Sequence, residues 1–457
     1  MTDKNQVHSM SERNATNQDN GVRAVFSDYG ERTTLHGFYY LIHGGTSMRK
    51  FVWVVFILTA FGYLTYNAVK LFGKYFDYPT ISKSRIVAQP DMLFPAVTIC
   101  NYNPLRNVDK CDRITMAYFK NGTSKSNQLN RKSSGTSDAD ALRFYLECGH
   151  QMNEAGMLVE CNWKGRSCNE ANFSSTVQRM GLCHTFNSGK ENHSLQRFSN
   201  PGESNGLILK LNVQTEDYLP VTPAVGVKVI IHDQHAPIST NENGFAVMPG
   251  RKALVSVTKK KVKTLGPPYG MPCNKSLKYS QEHCLSKCKQ QYIFDHCKCL
   301  MPPPTTLGTT YCLLYEEKRQ CYFAYEAKFF DLGVNNNCTC QGSCEKSTYD
   351  TDLSYAYLKP TSVKDLFMES DDSILLNSSQ KIQWQEFVRD NILEISIYFN
   401  DLSYLEVEEV AAYPWESFVA EFGGTMGLCL GASLLTILEL LDLIGCIISF
   451  FCRAKKG

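Results

Sequence analysis

Two long apolar stretches lie near the ends of the chain, and a period-two alternation recurs between them. Residues 51–69, FVWVVFILTAFGYLTYNAV, are 19 uncharged residues between Lys50 and Lys70. At about 1.5 Å per residue such a helix spans roughly 28 Å, one bilayer crossing, and the pattern predicts a membrane helix over residues 49–71. A buried soluble helix is the alternative, but the run is too long for one. Fifty residues precede it, which argues against a cleaved signal peptide. A second apolar segment covers 417–452 and is interrupted by Glu421, Glu439 and Asp442. Between the two, Leu207, Leu209, Leu211 and Val213 alternate with other residues, as do Leu393, Ile395, Ile397 and Phe399. These patterns predict strands, with another at Val227 to Ile231. Leu93 to Cys100 opens the β-rich region, 121–141 reads as a polar loop, and residues 1–30 read as disordered. Residues 279–299 read as a helix with Cys284 and Cys288 on one face.

Charge orients the two crossings. Arg453, Lys455 and Lys456 follow the second segment, and no Lys or Arg lies between Arg389 and Arg453. The second helix therefore ends in the cytosol. Two crossings then place the N-terminus (1–48) in the cytosol, residues 72–416 outside, and the tail (453–457) inside. A net charge of +2 offers no basic excess for nucleic acid. No nucleotide loop, GxSxG elbow or HExxH motif is present, so no catalysis is implied.

Cysteines agree with that placement. Sixteen of the 19 lie between Cys100 and Cys344, which reads as the disulfide framework of an exported domain. Ten of them, from Cys273 to Cys344, staple a small helical subdomain. The one-residue gaps in Cys297-Lys298-Cys299 and Cys338-Thr339-Cys340 are too short for usual zinc spacing, so no metal site is expected. Sequons at Asn121, Asn172, Asn192, Asn274 and Asn377 are candidate glycosylation sites.

The second segment carries the chemistry. At 100° per residue on a continuous helix, Glu421 and Glu439 share a face. Thr425, Leu428, Ala432 and Leu435 fall near that line, and Asp442 lies about 60° off it. Charges inside a membrane are costly and mark ion pathways. One helix cannot enclose water, so several copies must pack around an axis. Gly423, Gly427 and Gly431 form a ladder that permits close helix approach. A plain packing seam, with Glu439 and Asp442 snorkelling or pairing with Arg453, is the competing reading. The outer approach is acidic as well, with Asp390, Glu394, Asp401, Glu406, Glu408, Glu409, Glu416 and Glu421, which would concentrate cations. Together these features favour a cation pore over a non-conducting two-pass receptor or adhesion protein.

Several motifs are specific. They are LHG at 35–37, FPAVTICN at 94–101, CHTFNSG at 183–189, EDYLP at 216–220, the cysteine spacing after 273, and GASLLTILELLD at 431–442. Over roughly residues 34–453 the chain resembles the degenerin/epithelial sodium channel family, most of all its acid-sensing ion channel branch. The resemblance implies an α+β membrane protein. Its disulfide-rich β-core ectodomain would carry finger, β-ball, palm and a thumb at about 273–344. It implies a homotrimer or a heterotrimer with related subunits, embedded in plasma-membrane lipid, that conducts Na+ independently of voltage, is sensitive to amiloride and needs no cofactor. It implies a selectivity filter at Gly431, Ala432 and Ser433, where the second helix is interrupted, with Glu439, Asp442 and Glu421 as pore acids. Ala420 matches the degenerin gate position. His36 and Gly37 match a re-entrant segment lining the cytosolic pore. Tyr78 and Tyr269 match an aromatic contact that couples ectodomain to membrane helix, although the family usually has Trp at the second. The implied disulfides are Cys100–Cys183, Cys161–Cys168, Cys273–Cys344, Cys284–Cys340, Cys288–Cys338, Cys297–Cys321 and Cys299–Cys312. Cys111 and Cys148 fall outside that pattern and are expected to pair with each other.

The departures concern gating. An acidic pair of the proton-gated relatives aligns with His235 and Ala236, and a histidine pair with Pro79 and Thr80. On the thumb side only Glu326 and Asp331 lie between Cys321 and Cys338. Close carboxylates titrate upward, so without them that proton sensor is weakened. His232 and His235 are candidates for titration near neutral pH, although exposed loop histidines usually have no such role. Extracellular protons by another route, Ca2+, a peptide, force, or a constitutive leak remain the candidate modes.

Overall fold

In the computed structural model of the chain the described residues are 29–43, 45–107, 145–153, 155–189, 194–219, 223–234, 236, 238, 244–276, 279–300, 312, 316–331, 333, 338–363, 367 and 378–454. The elements run α1 (Phe38–His43), α2 (Ser47–Phe76), β1 (Thr80–Ala88), β2 (Ala96–Asn101), β3 (Leu158–Trp163), β4 (Arg166–Ser167), β5 (Phe173–Gln178), β6 (Gly181–Phe186), β7 (Leu207–Asn212), β8 (Val227–His232), β9 (Phe245–Val247) and β10 (Arg251–Lys263). Then follow α3 (Gln281–Cys297), α4 (Glu316–Asp331), β11 (Glu345–Tyr357), α5 (Ser378–Asn391), β12 (Ile392–Ala411), α6 (Trp415–Leu430) and α7 (Leu434–Ala454), with short strands and turns between them. The chain divides into two units, residues 1–81 with 410–457, and residues 82–409.

The second unit is built on two sheets. The larger runs β11-β10-β12-β7-β3-β4, with β1 also paired to β12, and the smaller runs β9-β8-β2-β6-β5. Alternation explains the first. Leu207, Leu209 and Leu211 are fully buried on β7, which lies antiparallel to β12 with Leu209 opposite Ile395. β10 runs parallel to β12, stacking Ala253, Val255 and Val257 beside Ile395, Ile397 and Phe399. β12 lies inside the sheet, between β10 and β7, and its polar positions Glu394 and Ser396 are buried too. Glu394 is bonded by Lys252 at 3.0 Å and Ser396 donates to Glu203 at 3.3 Å. The two sheets share one core in which Phe94, Phe198 and Phe399 meet at 5.3–6.1 Å between ring centroids. Each such buried side chain contributes about 2–3 kcal/mol.

The α3–α4 subdomain has a small core, chiefly Ile293, Tyr322 and half-cystines. A core that small needs staples. Five disulfides supply them: Cys273–Cys344, Cys284–Cys340, Cys288–Cys338, Cys297–Cys321 and Cys299–Cys312. Cys100–Cys183 joins neighbouring strands of the smaller sheet, and Cys161–Cys168 closes the β3–β4 hairpin of the larger. These are the seven pairs that the resemblance implied. Cys148 is also disulfide-bonded, while its expected partner Cys111 lies outside the described residues. The helix of this subdomain starts at Gln281, two residues later than the expected 279, because Ser280 caps it by accepting from the His283 N–H.

In the first unit α2 is the one helix among the described residues long and apolar enough to cross a membrane by itself. Phe51, Phe56 and Leu58 are more than half exposed on it, a surface that water would not favour. α6 and α7 pass the same test only as a pair, bent by 71° at their junction. The second apolar segment is therefore two helices, not the one continuous helix that the facing of its acids implied. Glu421, Thr425 and Leu428 lie on α6, Ala432 in the break, and Leu435, Glu439 and Asp442 on α7.

Candidate functional site: the break between α6 and α7

The break begins at Gly431. Its φ of 62° is left-handed, and its N–H closes the last turn of α6 on the Gly427 carbonyl at 2.9 Å. Glycine takes that conformation without the penalty a Cβ brings. Residues 431–433 are non-helical. α7 restarts when the Thr436 hydroxyl accepts from the Ser433 N–H at 3.0 Å. Ala432 and Thr436 are buried, whereas Ser433 is exposed.

The residues before α1 bind this break. The His36 N–H donates to the Leu430 carbonyl at 2.9 Å. The His36 ring packs on Gly431 so closely that a Cβ there would stand 2.4 Å from Nδ1. Gly37, at φ 88°, turns the chain against Trp53 and Ile57 of α2. Thr34 hydrogen-bonds Thr436 between hydroxyls at 2.7 Å. Glu439 accepts from the Thr34 N–H at 3.1 Å and the Thr33 hydroxyl at 3.2 Å. Glu439 is thus half-buried and engaged, while Asp442 is exposed. The residues along α7 alone give no hint of these donors, since they lie about 400 positions earlier.

At the other end of α6, Phe418 packs on Phe72 and Tyr75 of α2, with centroids 5.0 and 5.2 Å apart. Ala420 is exposed. Glu421 accepts from the Tyr413 hydroxyl at 2.6 Å and lies 3.6 Å from the Lys74 ammonium. Tyr78, at φ 47°, stands 6.0 Å from Tyr75 in the first unit, and Tyr269 belongs to the second. Gly423 has open space where a Cβ would stand, and Gly427 has only the Ala432 carbonyl at 3.7 Å.

A family model described as amiloride-sensitive sodium channel matches residues 29–443. The chain belongs to this family. It is 30% identical over 451 residues to acid-sensing ion channel 1C of Danio rerio, covering 91% of this chain and 82% of that protein. Acid-sensing ion channel 2 of Rattus norvegicus is 29% identical, covering 91% and 85%. Acid-sensing ion channel 1 of Gallus gallus is also 29% identical, covering 93% and 84%. A solved proton-activated chloride channel covers 86% of this chain and 97% of its own, but at a TM-score of 0.31 and 7% identity it carries no argument. Members of the family are ion channels of the sodium type, and the chain carries the disulfides and the transmembrane helix that go with them.

Two expectations change in this family setting. The acidic outer approach is largely neutralised among the described residues. Glu406 is buried and clamped by Arg85 at 2.5 Å and Lys263 at 2.8 Å. Glu394 meets Lys252, Asp390 meets Arg389, Glu409 accepts the Leu265 N–H, and Glu421 meets Lys74. On α4, Glu326 is held by Arg179 at 2.8 Å, Lys289 at 3.1 Å and the Tyr322 hydroxyl at 3.1 Å. His232 is fixed between the Thr98 hydroxyl and the Asp233 carbonyl, each at 2.8 Å. His235 and the sequons at Asn121, Asn192 and Asn377 lie outside the described residues. Asn172 is exposed and Asn274 half-buried. No cluster of His, Cys, Asp or Glu that could hold a metal ion is found among the described residues.

Proposed function

We propose that the chain is the subunit of a trimeric, sodium-selective, voltage-independent channel of the plasma membrane, sensitive to amiloride, with both termini cytosolic. Gly431, Ala432 and Ser433 form its filter, Glu439 and Asp442 draw Na+ below it, and Ala420 sits at the gate. The observation that carries this reading is the break itself. A left-handed glycine interrupts an apolar helix pair where only small side chains are present, and the His36-Gly37 segment buttresses it. A membrane tolerates non-helical backbone only where it is covered by protein or lines a cavity. Expression in a voltage-clamped cell tests the proposal. A Na+ current, evoked by a stimulus or by Ala420→Phe, is expected, with amiloride block. If no stimulus and no bulky residue at 420 yields a Na+ current, the chain is a non-conducting receptor instead.

The trigger we favour is a peptide, or a standing leak, rather than proton uptake by paired carboxylates at the thumb. Glu326 has two cations for neighbours where such a sensor needs a second acid. Recording across pH 8 to 4, and then with a panel of peptides, separates these modes.

A further inference from the structure

Lys74 stands in the last turn of α2. Its ammonium is 3.6 Å from Glu421 Oε2 and 4.0 Å above the centre of the Tyr413 ring. The Tyr413 hydroxyl donates to that same carboxylate oxygen at 2.6 Å. Tyr413 is itself 5% exposed, so the ring is a fixed platform. Phe72 and Phe418 hold α2 and α6 together two to three residues away. One carboxylate, one phenol and one ammonium thus form a closed cluster, with the lysine held by charge and by the ring face. Both charged side chains remain about half exposed, at 51% and 48%, so they act on ions in the adjacent water.

We propose that Lys74 is the resident counter-ion of the outer mouth and a determinant of conductance. Resting on the pore reading of Glu421, this assigns to α2 a charge that cancels most of the attraction each Glu421 would exert on Na+. The phenol orients the carboxylate and the ammonium neutralises it. The local Na+ concentration at the mouth is then set by the pair, not by the acid alone.

The consequence is electrostatic and depends on salt. Each negative charge restored, at a separation on the order of 8 Å in a high-dielectric medium, raises local Na+ about twofold, and a trimer restores three. Screening removes that gain once the Debye length falls well below the separation. Single-channel Na+ currents of wild type, Lys74→Gln, Lys74→Arg and the double variant Lys74→Gln/Glu421→Gln are compared at about 20 mM and about 500 mM external Na+. The Gln variant is expected to conduct at least about twofold more than wild type at low salt and equally at high salt. The Arg variant should match wild type, and the double variant should lose the gain. A Gln variant with wild-type conductance at both concentrations overturns the proposal. So does a Gln variant that reaches the surface but is silent until Arg restores it, since Lys74 would then be only a structural tether. If wild type and all variants carry no Na+ current, the channel reading itself fails, and this inference with it.

Discussion

The His36 imidazole occupies the place where a side chain at Gly431 would begin, with Nδ1 2.4 Å from an ideal Cβ. Gly431→Ala therefore meets two penalties. The left-handed φ of 62° costs a non-glycine residue about 1–2 kcal/mol, and the methyl displaces the ring. The variant is expected to reach the surface with its current reduced and its Na+/K+ reversal potential shifted toward zero. His36→Ala in the same chain opens the space and should recover part of both, leaving the backbone strain. Whole-cell reversal potentials in the two single variants and the double variant test this; a reversal potential unchanged in Gly431→Ala removes the contact from the filter.

Glu439 makes a sharper prediction, because its donors are known. The Thr34 N–H and Thr33 hydroxyl hold one oxygen, while Thr34 and Thr436 share a hydroxyl contact. Removing a hydrogen bond to a charged acceptor costs about 1.5–3 kcal/mol. Glu439→Gln keeps the shape but not the charge, and is expected to lower the Na+/K+ permeability ratio. Thr34→Val spares the charge and removes the Thr436 contact, so a smaller change in the same direction is expected. Equal permeability ratios in Glu439→Gln, Ser433→Ala and wild type would take these residues out of selectivity.

Some of this architecture is readable from the chain alone. The membrane run of α2, the alternations of β7 and β12, and the stapled subdomain follow from local pattern, which period and cysteine spacing report directly. The fate of the acids is not local. Glu406 looks like one of a row of mouth carboxylates, yet Arg85 and Lys263 lie on strands far away in sequence and converge on it only after β1, β10 and β12 pair. Glu439 is similar, its donors coming from the segment before α1. A charge count along the sequence records every acid but no long-range partner. The bend at Gly431 is intermediate: a 100° projection passes through a glycine that, by its nature, can end a helix.

Glu326 sets an expectation for acid. Burial alone pushes its carboxyl up, but the hydrogen bonds and charges of Arg179 and Lys289 outweigh burial and hold it below the usual range. A depressed carboxylate contributes its stability above the unfolded value, about pH 4.3, and loses it only as pH falls through its lower folded value. The α4 contact with Arg179 is therefore expected to persist unchanged from pH 7.5 to 5. Glu326→Gln should loosen it by about 1 kcal/mol at every pH in that range. Hydrogen exchange of α4 in the full-length protein reads this out. Marked deprotection of wild-type α4 at pH 5, resembling that of Glu326→Gln, would make Glu326 a proton sensor after all.

A buried histidine, by contrast, is expected to make the second unit sensitive to mild acid. His150 is 1% exposed, and burial pushes its imidazole down to about 4, against a weaker opposing hydrogen bond with Gln214 at 3.1 Å. His184 is lowered for the same reason, and its Nε2–H donates to the His150 carbonyl at 2.8 Å while Nδ1 meets the Ser175 hydroxyl at 2.9 Å. The unfolded chain takes up a proton at each site near pH 6.5, but the folded chain does not. Stability is thus full above about pH 6.5 and falls until the folded histidine also protonates near pH 4. At about 1.4 kcal/mol per pH unit, His150 alone accounts for about 3 kcal/mol over that window. His150→Gln cannot titrate, so the urea midpoint of the full-length protein should fall less between pH 7.5 and 5 than in wild type, although the variant is weaker at neutral pH. Subtracting the two profiles removes the carboxylates common to both. Parallel profiles would show that His150 is protonated in the folded state, or accessible enough that burial does not govern it.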